Sequence, residues 1–210
     1  MTSIREMEKD PWNMIIAGVG GQGNVLASQI LGQMLVTEDY FVTIGETYGL
    51  SQRGGSVMSH LRIYMKDQFS TLIPKGTCDF VMGLEPTEAL RVLQQFGNPD
   101  VCLLINTRPI YPMDVIAGNA VYPEVNTVLE KVHNLSHRVW TINATEIALE
   151  MGDPIFSNMV MIGALSVLDL LPLNRPGFQE VIEDLLPAKR LTSNLDAFDR
   201  GRDAIKEHTL

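Results

Sequence analysis

A short apolar run from Asn13 to Val19 ends in glycines, and Asn24 to Thr37 then carries apolar residues at helical spacing: Val25, Leu26, Ile30, Leu31 and Leu35. Together they predict strand, tight turn and helix. Phe41 to Gly45 reads as the next strand, so the chain opens with a β-α-β pattern that favours a parallel α/β sheet. The rhythm continues with strands over Ser56–Tyr64, Phe80–Leu84 and Val101–Ile105 and a helix over Thr87–Phe96. Val121–Asn126 is ambiguous between states. Thr127–Arg138 reads as helix, Val139–Ile142 as strand and Ala144–Met151 as helix.

Beyond Pro154 the pattern is helical only: Ile155–Leu171, Phe178–Leu186, and Asn194 to Glu207, punctuated by Pro172, Pro176 and Pro187. The first of these, rich in Met159, Val160, Ile162, Leu165, Val167 and Leu168, is either a central core helix or a subunit-contact helix. There is no internal repeat and no low-complexity linker. The expected architecture is one unit over residues 1–210, with an α/β core at 12–153 and a helical extension at 154–210. The core is a Rossmann-like, mostly parallel sheet flanked by helices.

A chain of 210 residues, 45% hydrophobic and 20% charged, can bury a core of its own. Its net charge of −9 argues against nucleic acid or an anionic membrane as partner. No apolar run reaches the roughly 18 to 20 residues of a membrane span, and the charged N-terminus has no signal-peptide core, so a cytoplasmic protein is expected. Cys78 and Cys102 lie in separate strand-like stretches and read as buried thiols. Two cysteines give no iron–sulfur or zinc framework, so any cluster is expected on another polypeptide.

Gly18, Gly20 and Gly23 form G-x-G-x-x-G between the first strand and helix, a turn that lets a phosphate approach a helix N-terminus. Read alone it suggests a dinucleotide site, with Glu46 at the end of the second strand available to a ribose hydroxyl. The alternative is that the glycines only allow strand and helix to pack closely. The loop is more fully Gly20-Gly21-Gln22-Gly23, whose extra glycine and polar amide suggest contact with another group or chain.

The second strand leads into a dense polar loop containing Glu46, Tyr48, Gln52, Arg53, Gly54, Gly55 and Ser56, of the kind that faces a ligand or partner. Arg53, beside two glycines, suits a carboxylate or phosphate, or else pairs with Glu46 to brace the loop. His133 and His137 read as a solvated helix face. There is no nucleophile elbow or phosphate-loop lysine, and Gly152-Asp153 is followed by Pro154 where a thiamin-binding motif would continue differently. Two function classes therefore stand open: a free-standing NAD(P)-binding oxidoreductase or sensor, and a subunit completed by a larger partner.

Taken together, Gly18-Val19-Gly20-Gly21-Gln22-Gly23, Glu46-Thr47-Tyr48-Gly49, Gln52-Arg53-Gly54-Gly55-Ser56-Val57, Asn158 to Ala164, and Asn194 to Phe198 resemble the gamma subunit or domain of the 2-oxoacid:acceptor oxidoreductases. The likeness spans roughly residues 12 to 201 and is nearest to the small subunit type of indolepyruvate:ferredoxin oxidoreductases. The resemblance implies a large alpha subunit carrying thiamin diphosphate, Mg2+ and [4Fe-4S] clusters. That subunit would decarboxylate a 2-oxoacid, pass electrons to ferredoxin and yield an acyl-coenzyme A. The small subunit would hold no redox cofactor. Its Gly20–Gly23 turn and Tyr48–Gly55 loop would face the partner, the substrates or coenzyme A. Ferredoxin, typically acidic, would dock elsewhere in the complex, because this chain is acidic too.

Overall fold

The computed structural model describes residues 9–48, 55–66 and 69–208. Strand β1 (Trp12–Val19) leads into helix α1 (Asn24–Thr37), followed by β2 (Phe41–Tyr48) and β3 (Ser56–Tyr64). Next come β4 (Phe80–Gly83), α2 (Pro86–Phe96), β5 (Cys102–Asn106), a short α3 (Met113–Ile116), α4 (Val125–Asn134) and β6 (Arg138–Ile142). The C-terminal part holds α5 (Ala144–Glu150), α6 (Ser157–Leu165), α7 (Arg175–Leu185) and α8 (Leu191–His208).

All six strands form one sheet in the order β2-β3-β1-β4-β5-β6. Neighbours from β1 through β6 pair in parallel, whereas β3 runs antiparallel to both β1 and β2. Strand β2 thus points the same way as β1, as a β-α-β pattern requires, but β3 is inserted between them. Pairing of Tyr48 with Val57 and Phe41 with Tyr64 fixes this two-stranded ribbon, and Val19 with Ser56 joins it to β1.

Strands β1, β4 and β5 are apolar at nearly every position, Asn13 and Asn106 excepted, because both faces are covered. Met14, Ile16, Phe80, Met82 and Leu104 belong to the core shared with α1, α6, α7 and α8. The alternate residues Ile15, Ala17, Val81, Leu103 and Ile105 belong to a second core with α2 and Val132 of α4. Period-two alternation therefore splits one apolar run between two layers of helices. Each fully buried Ile, Leu or Met side chain contributes about 1.5–3 kcal/mol relative to exposure.

Helix α6 is core. Met159, Val160, Met161 and Ile162 are all at most 1% exposed, so no methionine of this helix is available to a partner, and a subunit contact must lie elsewhere. The helix is also shorter than its apolar pattern suggests. Ser166 returns its hydroxyl to the Gly163 carbonyl at 2.7 Å, and Asp169 takes a left-handed φ of 56° ahead of Pro172.

His60 of β3 is buried, meets the Phe96 ring edge-on with centroids 5.3 Å apart, and accepts a hydrogen bond at Nδ1 from the Ile73 N–H at 3.4 Å. Burial pushes its pKa below the ordinary 6.5. The unfolded chain therefore takes up this proton first as pH falls. The His60 contribution to stability is full above about pH 6.5 and declines below it, toward the lowered folded value. Urea unfolding from pH 7.5 to 5 should show that slope, and His60→Leu should reduce it. An unchanged slope in the variant would mean that another group carries it.

Candidate functional site at the carboxyl edge of the sheet

Strands β1 and β4 are parallel neighbours whose following helices, α1 and α2, leave toward opposite faces of the sheet. This divergence opens a crevice at their carboxyl ends, the position where α/β sheets commonly bind ligands. The edge is built from Val19 and the glycine turn, Leu84 and Glu85 after β4, Asn106 at the end of β5, and the β2 and β3 ends at Tyr48 and Ser56.

The crevice is occupied by the chain itself. The Gln22 carboxamide oxygen accepts from the Val19 N–H at 2.7 Å, and its nitrogen donates to the Leu84 carbonyl at 2.8 Å, so one side chain bridges β1 and β4. Asn106 donates to the same Leu84 carbonyl at 3.1 Å and to Thr145 Oγ1 at 2.8 Å. Gly18 is needed to make room for this arrangement: a Cβ there would lie 2.7 Å from Gln22 Oε1 and 3.0 Å from Asn24 Oδ1. Gly23, the left-handed N-cap of α1 with φ of 81°, would drive a Cβ to 2.6 Å from Asn158 Nδ2 on α6. Two glycines of the fingerprint thus clear space for amide side chains of this protein.

The remaining predicted residues divide into three groups. Gly20 donates its N–H to the Gly55 carbonyl at 2.8 Å, which joins the glycine turn to the residue preceding β3, while Gly21 is exposed with φ of 106°. Ser56 opens β3 opposite Val19. Glu46 is turned away from any ribose role: its oxygens accept from Ser28 Oγ at 2.9 Å and Ser59 Oγ at 2.6 Å. Gln52, Arg53 and Gly54 lie outside the described residues, as does the side chain of Tyr48. With β3 between β1 and β2, Gln22 across the crevice and Glu46 bound to two serines, the edge is not arranged for a nicotinamide dinucleotide.

Sequence reasoning missed the group beneath this edge. Glu85 is 0% exposed and caps α2, accepting from the Glu88 N–H at 2.9 Å and Thr87 Oγ1 at 2.6 Å. Its other oxygen accepts a short hydrogen bond from the Tyr122 hydroxyl. Burial, and then the hydrogen bond to Glu85, push the Tyr122 hydroxyl well above the ordinary tyrosine value. Glu85-Pro86 followed by Glu88 was the available signal, since proline at the first helical position marks the preceding residue as a cap. Nothing in the sequence pointed to Tyr122, 37 positions away.

The first turn of α1 has no acidic residue and no side-chain cap. Its leading N–H groups have no partner within the helix. Two thiols are fewer than the four that hold a cubane iron–sulfur cluster. Cys78 is fully buried and Cys102 partly so, and burial is the main cause raising both thiol pKa values. Among the described residues no group of three or more His, Cys, Asp or Glu is placed to hold a metal ion, and no helix is long and apolar enough to cross a membrane.

The chain is 35% identical over 197 residues to indolepyruvate oxidoreductase subunit IorB of Thermococcus kodakarensis, covering 93% of this chain and 96% of that one. It is 36% identical over 199 residues to the subunit of the same name from Pyrococcus horikoshii, with the same coverage. Its fold matches 2-oxoglutarate:ferredoxin oxidoreductase from Magnetococcus marinus, a structure with 2-oxoglutarate, coenzyme A and succinyl-CoA bound. That match has a TM-score of 0.71 and 21% identity, over 95% of this chain and 32% of that one. Residues 13–204 match the family described as pyruvate ferredoxin/flavodoxin oxidoreductase. The match takes in both the carboxyl edge and the C-terminal helices whose Asn158 supports the glycine turn, and the chain belongs to that family.

Proposed function

We propose that this chain is the small subunit of a 2-oxoacid:ferredoxin oxidoreductase acting on indolepyruvate or another aryl 2-oxoacid, in the cytoplasm and without a redox cofactor of its own. The carrying observation is identity of 35% and 36% to two indolepyruvate oxidoreductase subunits over nearly their whole length. Thiamin diphosphate, Mg2+ and [4Fe-4S] clusters then belong to the large alpha subunit. There the oxoacid loses CO2, its acyl group passes to the thiol of coenzyme A, and the two electrons released go to ferredoxin. A chain with two thiols, one buried and one half-buried, supports this division of labour. So does a carboxyl edge closed by Gln22 yet fringed by the uncapped first turn of α1 and by Gly55.

The test is co-expression with the large subunit, anaerobic purification and assay with indolepyruvate, phenylpyruvate, pyruvate and 2-oxoglutarate, reading acyl-coenzyme A and reduced ferredoxin. Aryl substrates should be used at least tenfold better in kcat/KM. Equal or better use of 2-oxoglutarate would overturn the aryl assignment, and stoichiometric iron on the isolated chain would overturn the cofactor assignment.

Within that complex Arg53 is the cation proposed to recognise an anion, on coenzyme A, the oxoacid or the partner. Arg53→Lys keeps the charge and loses the planar fork, whereas Arg53→Ala removes both. Losing a charge-assisted hydrogen bond costs about 1.5–3 kcal/mol, so Arg53→Ala should weaken the constant of the ligand it holds roughly ten- to a hundredfold, with Arg53→Lys intermediate: the KM for coenzyme A, the KM for the oxoacid or the affinity for the partner, each measured separately. Wild-type kinetics in both variants would reduce Arg53 to a brace for its own loop.

A further inference from the structure

The segment between β5 and α4 gathers apolar surface that none of the described residues covers. Ile110 is 37% exposed, Tyr111 53%, Met113 72%, Ile116 66% and Val121 93%. These are five of the twelve exposed large hydrophobic side chains among the described residues, and they fall within twelve consecutive positions. Between Thr107 and Glu124 the only charged residues are Arg108, Asp114 and the terminal Glu124, in a chain whose net charge is −9. Depletion of charge together with tyrosine, methionine and arginine is the composition of an interface centre. At these exposures the five side chains present on the order of 600 Å2, at the upper end of what a monomer leaves open and most of the roughly 800 Å2 per partner in a standard interface.

The segment is also held in place. Thr107 donates its N–H to the Ile142 carbonyl at 2.9 Å, Tyr122 is tied to the buried Glu85, and the Tyr111 ring stands edge-on against Tyr122 with centroids 5.2 Å apart. Pro109, Pro112 and Pro123 restrict the backbone further. A surface fixed in advance loses little conformational freedom on binding. It stands beside the crevice, because Glu85 follows Leu84, whose carbonyl holds Gln22.

We infer that residues 107–124 form the surface on which the large, cofactor-bearing subunit docks. This rests on the small-subunit reading above. The large subunit is a better fit than the acidic electron carrier, whose docking depends on charge that this surface lacks, and an obligate partner suits an area so apolar. The same fold occurs as 32% of a single longer chain in the Magnetococcus marinus enzyme, where further polypeptide is permanently joined to it.

Tagged chain and large subunit would be co-expressed, and their association measured by co-elution and by titration of the separated subunits. Ile116→Glu and Val121→Glu should each weaken association at least tenfold and together abolish co-elution. Their melting temperatures should stay at the wild-type value, because both positions face solvent. Val36→Glu, at a 55% exposed position on α1, is the control and should assemble normally. Wild-type association with patch variants binding within twofold would overturn the docking surface while leaving the subunit reading intact. Patch variants that lose only self-association would assign the surface to a second copy and overturn it too. Failure of the wild-type chain to bind the large subunit would overturn the subunit reading and this inference together.

Discussion

Gly201→Ala should destabilise the fold by about 3 kcal/mol or more, although alanine is the better helix former by about 1 kcal/mol. A Cβ on Gly201 in α8 would lie 1.9 Å from the Val160 carbonyl oxygen and 2.8 Å from its carbon, and one on Gly163 in α6 would lie 2.0 Å from the Phe198 oxygen. These are backbone atoms of two core helices, so no side chain can rotate out of the way. The helices must separate, which also disturbs the Phe178–Phe198 stack at a centroid distance of 4.2 Å. Steric cost therefore outweighs propensity. Gly177→Ala is the contrast, since its Cβ would meet only the Asn174 side chain, whose oxygen lies nearest at 3.3 Å. Urea denaturation should show a lowered midpoint with unchanged slope for Gly201→Ala and Gly163→Ala, and a small change for Gly177→Ala. A wild-type midpoint in Gly201→Ala would mean that α6 and α8 do not approach this closely.

That helix contact shows why some features were legible in the sequence and others were not. Strands β1, β4 and β5 stand out as largely apolar runs because both their faces are buried, and α1 stands out through its spacing. The insertion of β3 between β2 and β1 could not be read, because it depends on register between segments whose local patterns are unchanged by which neighbour they pair with. Helix α6 is apolar on every side, so its pattern could not separate core from interface, and only its burial against α8 decides. At the site, G-x-G-x-x-G was visible but its use was not. The spacing is the same whether a phosphate or the Gln22 and Asn158 amides fill the space beside Gly18 and Gly23. Residues 107–124 carry neither helical nor strand periodicity, so a reading based on periodicity passes over the apolar surface they expose.

Glu85 and Tyr122 separate stability from assembly, and each is expected to move one of the two more than the other. Glu85→Ala removes the α2 cap, worth about 0.5–2 kcal/mol, and leaves the Tyr122 and Thr87 hydroxyls without their acceptor at a further cost of about 1–3 kcal/mol. The isolated chain should therefore lose about 3 kcal/mol, read as a lowered urea midpoint. Tyr122→Phe keeps the ring against Tyr111 and the α2 cap, and removes only the tether, so its stability cost should stay near 1 kcal/mol. Its larger effect should be on the partner, because a loosened 107–124 segment must be ordered on binding, and affinity for the large subunit should fall about tenfold. Hydrogen exchange of the segment in the free chain supplies the link: Tyr122→Phe should raise exchange between Thr107 and Glu124 and leave the amides of β1 and β4 protected. If Tyr122→Phe binds the large subunit like wild type while its segment exchanges faster, the order of the segment does not limit docking. The Glu85–Tyr122 bond then orders the segment without contributing to assembly.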